Sequence, residues 1–133
     1  MNVFNKKKIE NNLSRNKSLQ CVPVKNIEVR ETRLESGNIM IEYPLRLMRP
    51  WLASLIKRFS SSVDSYPTKK IQLDILGTSV WELIDGHRPV HEIIQTFSKI
   101  YKLDYKEAEV SVTMFIRDIG QRGLIGLMNL SEK

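Results

Sequence analysis

The chain has 133 residues, of which 41% are hydrophobic, 27% charged and 8% aromatic, which suits one soluble domain with flexible ends and excludes two large domains or a wholly disordered chain. Its apolar runs are only a few residues long, far short of the roughly 20 that cross a bilayer. The formal charge of +6 rests outside the best-patterned region: residues 1–26 set Lys6, Lys7, Lys8, Arg15, Lys17 and Lys25 against Glu10, and residues 45–70 set six basic groups against Asp64, whereas residues 71–133 are slightly acidic.

Residues 1–21, rich in Asn, Lys and Ser, read as a basic flexible tail. The opening lacks the apolar segment of a secretory signal, so a cytoplasmic location is expected. Cys21, the one cysteine, has no partner for an internal disulfide. Order is expected to begin at Val22. The stretch Ile27 to Leu34 partly alternates, Ser36-Gly37-Asn38 supplies turn chemistry, and Ile39 to Tyr43 is strand-forming; together they predict a β-hairpin.

From Leu45 to Phe59 the spacing changes. Met48, Trp51, Leu52, Leu55, Ile56 and Phe59 recur three and four apart, which predicts a short amphipathic helix, with Pro50 tolerated in its first turn. A loop through Ser60-Ser61-Ser62 and Pro67 leads to a third strand at Lys70-Ile71-Gln72-Leu73.

Three helices are predicted next. Asp74 caps the first, whose apolar stripe is Leu76, Val80, Leu83 and Ile84 with Trp81 on the flank, and Gly86 stands as its C-terminal glycine. The second runs from Pro89 to Tyr101 with Val90, Ile93, Ile94, Phe97 and Ile100 inward. The third starts at Asp104, at capping-box spacing from Glu107, and runs to Arg122 before Gly123, with Ala108, Val112, Phe115 and Ile119 as its core face. Leu124 to Met128 reads as a short strand or an extended segment packed on the body.

Reacting groups that converge are hard to find in this inventory. His91-Glu92-Ile93-Ile94-Gln95 lacks the second histidine of a helical zinc site, and Leu76-Gly77-Thr78-Ser79 lacks the paired glycines and lysine of a phosphate loop. Catalysis, cofactor and metal are therefore not expected. Three helices after a strand also suit a winged-helix DNA-binding regulator. The start of the third helix argues against it, because Asp104, Glu107 and Glu109 face Lys106 alone at the end that would approach a polyanion.

The string from Leu73 to Gly86 (LDILGTSVWELIDG), with Val90-His91-Glu92-Ile93-Ile94, Tyr101-Lys102-Leu103-Asp104, Glu107-Ala108-Glu109-Val110 and Arg122-Gly123-Leu124-Ile125, resembles the PqqD family. These are the pyrroloquinoline quinone biosynthesis protein D-like domains, also called recognition elements of ribosomally made, modified peptides. The likeness covers residues 68–127 well and residues 22–44 more loosely. It implies an α+β fold: a three-stranded antiparallel sheet followed by a three-helix, winged-helix-like bundle. Here an amphipathic helix is inserted between strands two and three, and the domain spans 22–128 with the insertion at 45–68 and a tail at 129–133. Pro89 stands where the family usually caps its second helix with Thr or Ser, so a shifted start is expected for that helix.

By the same resemblance the function is that of a noncatalytic peptide chaperone in cofactor or natural product biosynthesis. It would bind the leader of a precursor peptide and present it to a maturation enzyme, plausibly of the radical S-adenosylmethionine type. The leader adds a strand between the third strand and the third helix, so the expected site is Lys70, Ile71, Gln72, Leu73 and Asp74 with Val110, Met114, Arg117 and Gln121 as the helical wall. Val110 and Met114 can equally pack on the sheet. The edge is closed if Leu124–Met128 or the N-terminal tail occupies it. For the inserted helix, with Trp51, Leu55 and Phe59 on one side, three roles stand open: packing on the body, contact with a membrane surface, or docking to a partner enzyme or a second copy in a homodimer.

Overall fold

The computed structural model describes residues 15–47 and 67–129. In chain order these form β1 (Val22–Lys25), β2 (Arg30–Arg33), β3 (Ile39–Pro44), a 3-10 turn (Leu45–Leu47), β4 (Thr68–Gln72), α1 (Ile75–Leu83), α2 (Val90–Tyr101), α3 (Tyr105–Gln121) and β5 (Ile125–Met128). The fold is α+β, with helices following a small antiparallel sheet.

The β2–β3 hairpin closes where expected. Leu34 N donates to Asn38 O at 2.8 Å and Gly37 N to Leu34 O at 2.9 Å, and Gly37 takes φ 91°, a conformation glycine adopts cheaply. Its first strand starts at Arg30 rather than Ile27, because Asn26 Oδ1 accepts from Glu28 N and bends the chain there. Ile39, Ile41 and Tyr43 all point into the core, as the two-residue period of a strand requires. β4 pairs with β3 on the far side from β2, setting Ile41 opposite Ile71, Glu42 opposite Lys70 and Tyr43 opposite Lys69.

A second sheet was not anticipated. β1 pairs antiparallel with β5, Val22 opposite Met128 and Lys25 opposite Ile125, so five described strands fall into two sheets rather than three strands into one. The junction is held by Asn26 N to Leu124 O at 2.9 Å and by Val90 N to Cys21 O at 2.9 Å. These contacts join residues far apart in the chain, which local periodicity does not register.

Helix boundaries follow their caps. Asp74 Oδ1 accepts from Gly77 N at 2.7 Å, and Asp104 Oδ1 from Glu107 N at 2.8 Å, satisfying donors that a first turn leaves open. Gly86 does not end α1, which stops at Leu83; it sits at φ 82° in the following turn. That turn is closed by Asp85 Oδ1 accepting from the N–H groups of His87 and Arg88, each at 2.9 Å. Together they hold the Asp85 carboxyl below its ordinary range, the Arg88 bond having the larger effect. α2 begins after Pro89 without a side-chain cap and ends at Lys102, whose φ of 53° is left-handed.

The core lies between the three-stranded sheet and the helices, around Trp81, Tyr43, Phe97, Ile93, Ile94 and Ile119. Trp81 is wholly buried rather than on a flank, and its Nε1 donates to Glu31 Oε1 at 2.7 Å. A buried indole needs such a partner. The same carboxylate takes Lys25 Nζ at 3.0 Å, and that ammonium lies 4.6 Å from the Trp81 ring centroid. Leu76 and Ile100 are exposed, and Ile116 takes the core place expected of the half-buried Phe115. Residues 15–20, expected to be loose tail, are helical; Leu19 packs on the core, and Arg15 binds Glu109 of α3 through Nε and Nη2, both at 2.5 Å. Of the inserted helix only Leu45–Leu47 is described; Trp51, Leu55 and Phe59 lie outside the described residues.

Candidate functional site: the β4 edge and the helix beside it

Two bonds fix which backbone groups of β4 are used. Leu45 N donates to Pro67 O at 3.0 Å and Leu73 N to Ile39 O at 2.8 Å. Antiparallel pairing alternates between residues bonded to the neighbouring strand and residues turned away from it, so Pro67, Lys69, Ile71 and Leu73 address β3. Thr68, Lys70 and Gln72 therefore turn their N–H and C=O groups outward, where no described strand pairs with them. β5, one of the two segments considered as a cover for this edge, pairs with β1 instead.

The flank of α3 beside this edge is defined by contacts at both ends of β4. A methyl group on Gly77 would come within 3.1 Å of the Phe115 ring and 3.5 Å of Leu73 Cβ, so Phe115 sits over the end of the strand. Arg122 Nη1 donates to Tyr43 Oη at 3.2 Å, next to the Tyr43–Lys69 pair at the strand's start. Asp118 lies between them and accepts from Arg122 Nε at 3.3 Å. Tyr43 and Asp118 together hold the Arg122 guanidinium above its ordinary range, Tyr43 having the larger effect.

The predicted wall residues divide around this geometry. Val110, Met114, Arg117 and Gln121 are all exposed, none packed on the sheet. Arg117 and Gln121 line a cavity of about 800 Å³ on the other flank of α3, with Leu19, Val90, Ile116 and Leu127. Met114, next to Phe115 in the chain, and Val110 are both largely exposed. The α3 residues with contacts at the two ends of β4, Phe115, Asp118 and Arg122, are spaced three and four apart and lie outside that stripe. Their signal was the same helical period, shifted to the polar side of the core stripe. Among the predicted strand residues Lys70 and Gln72 carry the outward groups, Ile71 and Leu73 turn theirs to β3, and Asp74 is engaged as the α1 cap. Thr68 belongs with the outward set and was not singled out.

Glu109, which lines the cavity, is held below the ordinary glutamate range chiefly by its hydrogen bonds from Arg15. His87 and His91 are exposed, and the Cys21 thiol donates to Lys17 O at 3.3 Å. Among the described residues no three His, Cys, Asp or Glu side chains are grouped as metal ligands. No helix among them is long and apolar enough to cross a membrane.

Residues 64–125 match the family model described as Coenzyme PQQ synthesis protein D (PqqD). No curated protein and no solved structure matches the chain.

Proposed function

We propose that this chain, whose residues 64–125 match the PqqD family model, is a noncatalytic peptide-binding accessory factor. It holds the leader of a ribosomally made precursor by strand addition and presents it to a separate maturation enzyme of the radical S-adenosylmethionine type. The observation that carries this reading is the outward row of N–H and C=O groups at Thr68, Lys70 and Gln72 beside α3. A partner backbone gains affinity from such a row, and side-chain pockets next to it give selectivity. Here Met114 and Phe115 offer an adaptable apolar wall for alternate side chains of the added strand. Tethering then accounts for assistance to chemistry without reacting groups, since a held leader raises the effective concentration of the attached core segment near the enzyme.

The test is fluorescence anisotropy with a labelled synthetic peptide spanning the leader of a short precursor encoded beside this chain's gene. Saturable binding that Met114→Asp weakens by about tenfold, or about 1.4 kcal/mol, supports the proposal. Undiminished affinity in that variant rejects this groove, and absence of such a gene or of any binding rejects the adaptor role.

A further inference from the structure

Along β4 the chemistry changes from one end to the other. Lys69 and Lys70 are exposed at its start. At its end Leu73 is buried, with Phe115 close by across Gly77, and Ile75 and Leu76, just beyond the strand in the chain, are exposed. The two lysines differ in their neighbours. Lys70 lies opposite Glu42 on the outer face, and Glu42 is itself opposite Arg30 on the far strand, so two cations flank one carboxylate. Lys69 shares the inner face with Ile71 and Leu73 and comes opposite Tyr43. The other charges on that side, Asp118 and Arg122, bind each other. The start of the edge thus carries excess positive charge, and the end carries unpartnered apolar surface.

From this polarity we infer the sequence order of the peptide that fits the edge, an inference resting on the strand-addition reading above. A residue of an added strand lies opposite, and on the same face as, its β4 partner. In antiparallel pairing, the more stable arrangement per residue, the peptide meets Leu73 first and Lys69 last. Its residues opposite Leu73 and Ile71 face the groove and are apolar. Its residue opposite Gln72 faces outward and is unrestricted. Its next two, opposite Lys70 and Lys69, are acidic. The recognised chemistry is therefore apolar, any residue, apolar, acidic, acidic, read from N- to C-terminus. The reverse order places an acid against Leu73, leaves Lys70 without an acid and sets an apolar group against Lys69.

The experiment uses the full chain and three labelled synthetic peptides with Gly and Ser flanks. One contains Leu-Thr-Leu-Glu-Glu, one the reversed order Glu-Glu-Leu-Thr-Leu, and one Leu-Thr-Leu-Lys-Lys. The first is expected to bind about tenfold more tightly than either of the others. The double variant Lys69→Glu and Lys70→Glu is expected to invert the preference between the first and third peptides. Equal affinities among peptides that protect the Thr68, Lys70 and Gln72 amides from exchange overturn the inferred order and leave strand addition standing. Binding that leaves those amides unprotected, or no binding of any peptide, overturns strand addition and the order with it.

Discussion

Arg122 reaches across from the end of α3 to donate a 3.2 Å hydrogen bond to Tyr43 Oη, on a tyrosine that is wholly buried in β3. Since Tyr43 is opposite Lys69, this bond sets the distance between α3 and the start of the open strand. Tyr43→Phe keeps the ring and deletes the acceptor, and it is expected to cost about 1 kcal/mol. The denaturation midpoint should fall with an unchanged denaturant slope. An unmoved midpoint would show that the bond contributes nothing.

Gly123 and Gly86 share a left-handed backbone, with φ of 79° and 82°, yet differ in surroundings. A Cβ at Gly123 would lie 2.7 Å from Leu47 O, whereas one at Gly86 meets nothing within 4 Å. Gly86→Ala should cost about 1 kcal/mol from backbone conformation alone. Gly123→Ala should cost clearly more, because Leu47 and the turn after β3 must shift. Thermal unfolding of the two variants measures the difference, and equal losses would remove the close approach as a cause.

The Glu109 carboxyl lies below its ordinary value because of hydrogen bonds from Arg15. A group whose folded pKa is depressed stabilises fully above its unfolded value, about 4.3 for glutamate, and loses that contribution as pH falls through the folded value. The helical segment at residues 15–20 should therefore hold to α3 at neutral pH and loosen in acid. NMR titration of the Arg15 and Leu19 amides should show this transition in the wild type and its absence in Glu109→Gln. An identical titration in both would assign the transition elsewhere.

The alternation along β4 makes proline substitution a directional probe. Lys70→Pro removes an N–H that points away from β3 and should cost about 1 kcal/mol, while Ile71→Pro removes one that points toward it and should cost about 3 kcal/mol or more. Lys70→Pro should nevertheless abolish leader binding. Chemical denaturation and anisotropy on the two variants check both statements; the opposite ranking would place the register one residue off.

Residues 73 to 123 carried most of the legible information. Asp74 and Asp104 announced their helices through capping chemistry, and the period-two run at Ile39, Ile41 and Tyr43 announced a buried strand face. What stayed hidden depended on distant partners. Val22–Lys25 reads as a strand only once Ile125–Met128 lies beside it, and the buried Trp81 finds the partner for its N–H in the distant Glu31. The candidate site was legible to the level of a strand and a helix. Which side of α3 faces β4 was set by the Phe115–Gly77 and Arg122–Tyr43 contacts. In the evenly spaced stripe of Val110, Met114, Arg117 and Gln121, the last two line the cavity that includes no residue of β4.

Amide hydrogen exchange along residues 68–73, measured with and without a saturating leader peptide, interrogates the β4 edge most directly. Without peptide, Lys69 and Ile71 should exchange slowly and Thr68, Lys70 and Gln72 quickly; with peptide, the second set should become protected as well. Rapid exchange at Thr68, Lys70 and Gln72 that persists in the bound complex would contradict strand addition.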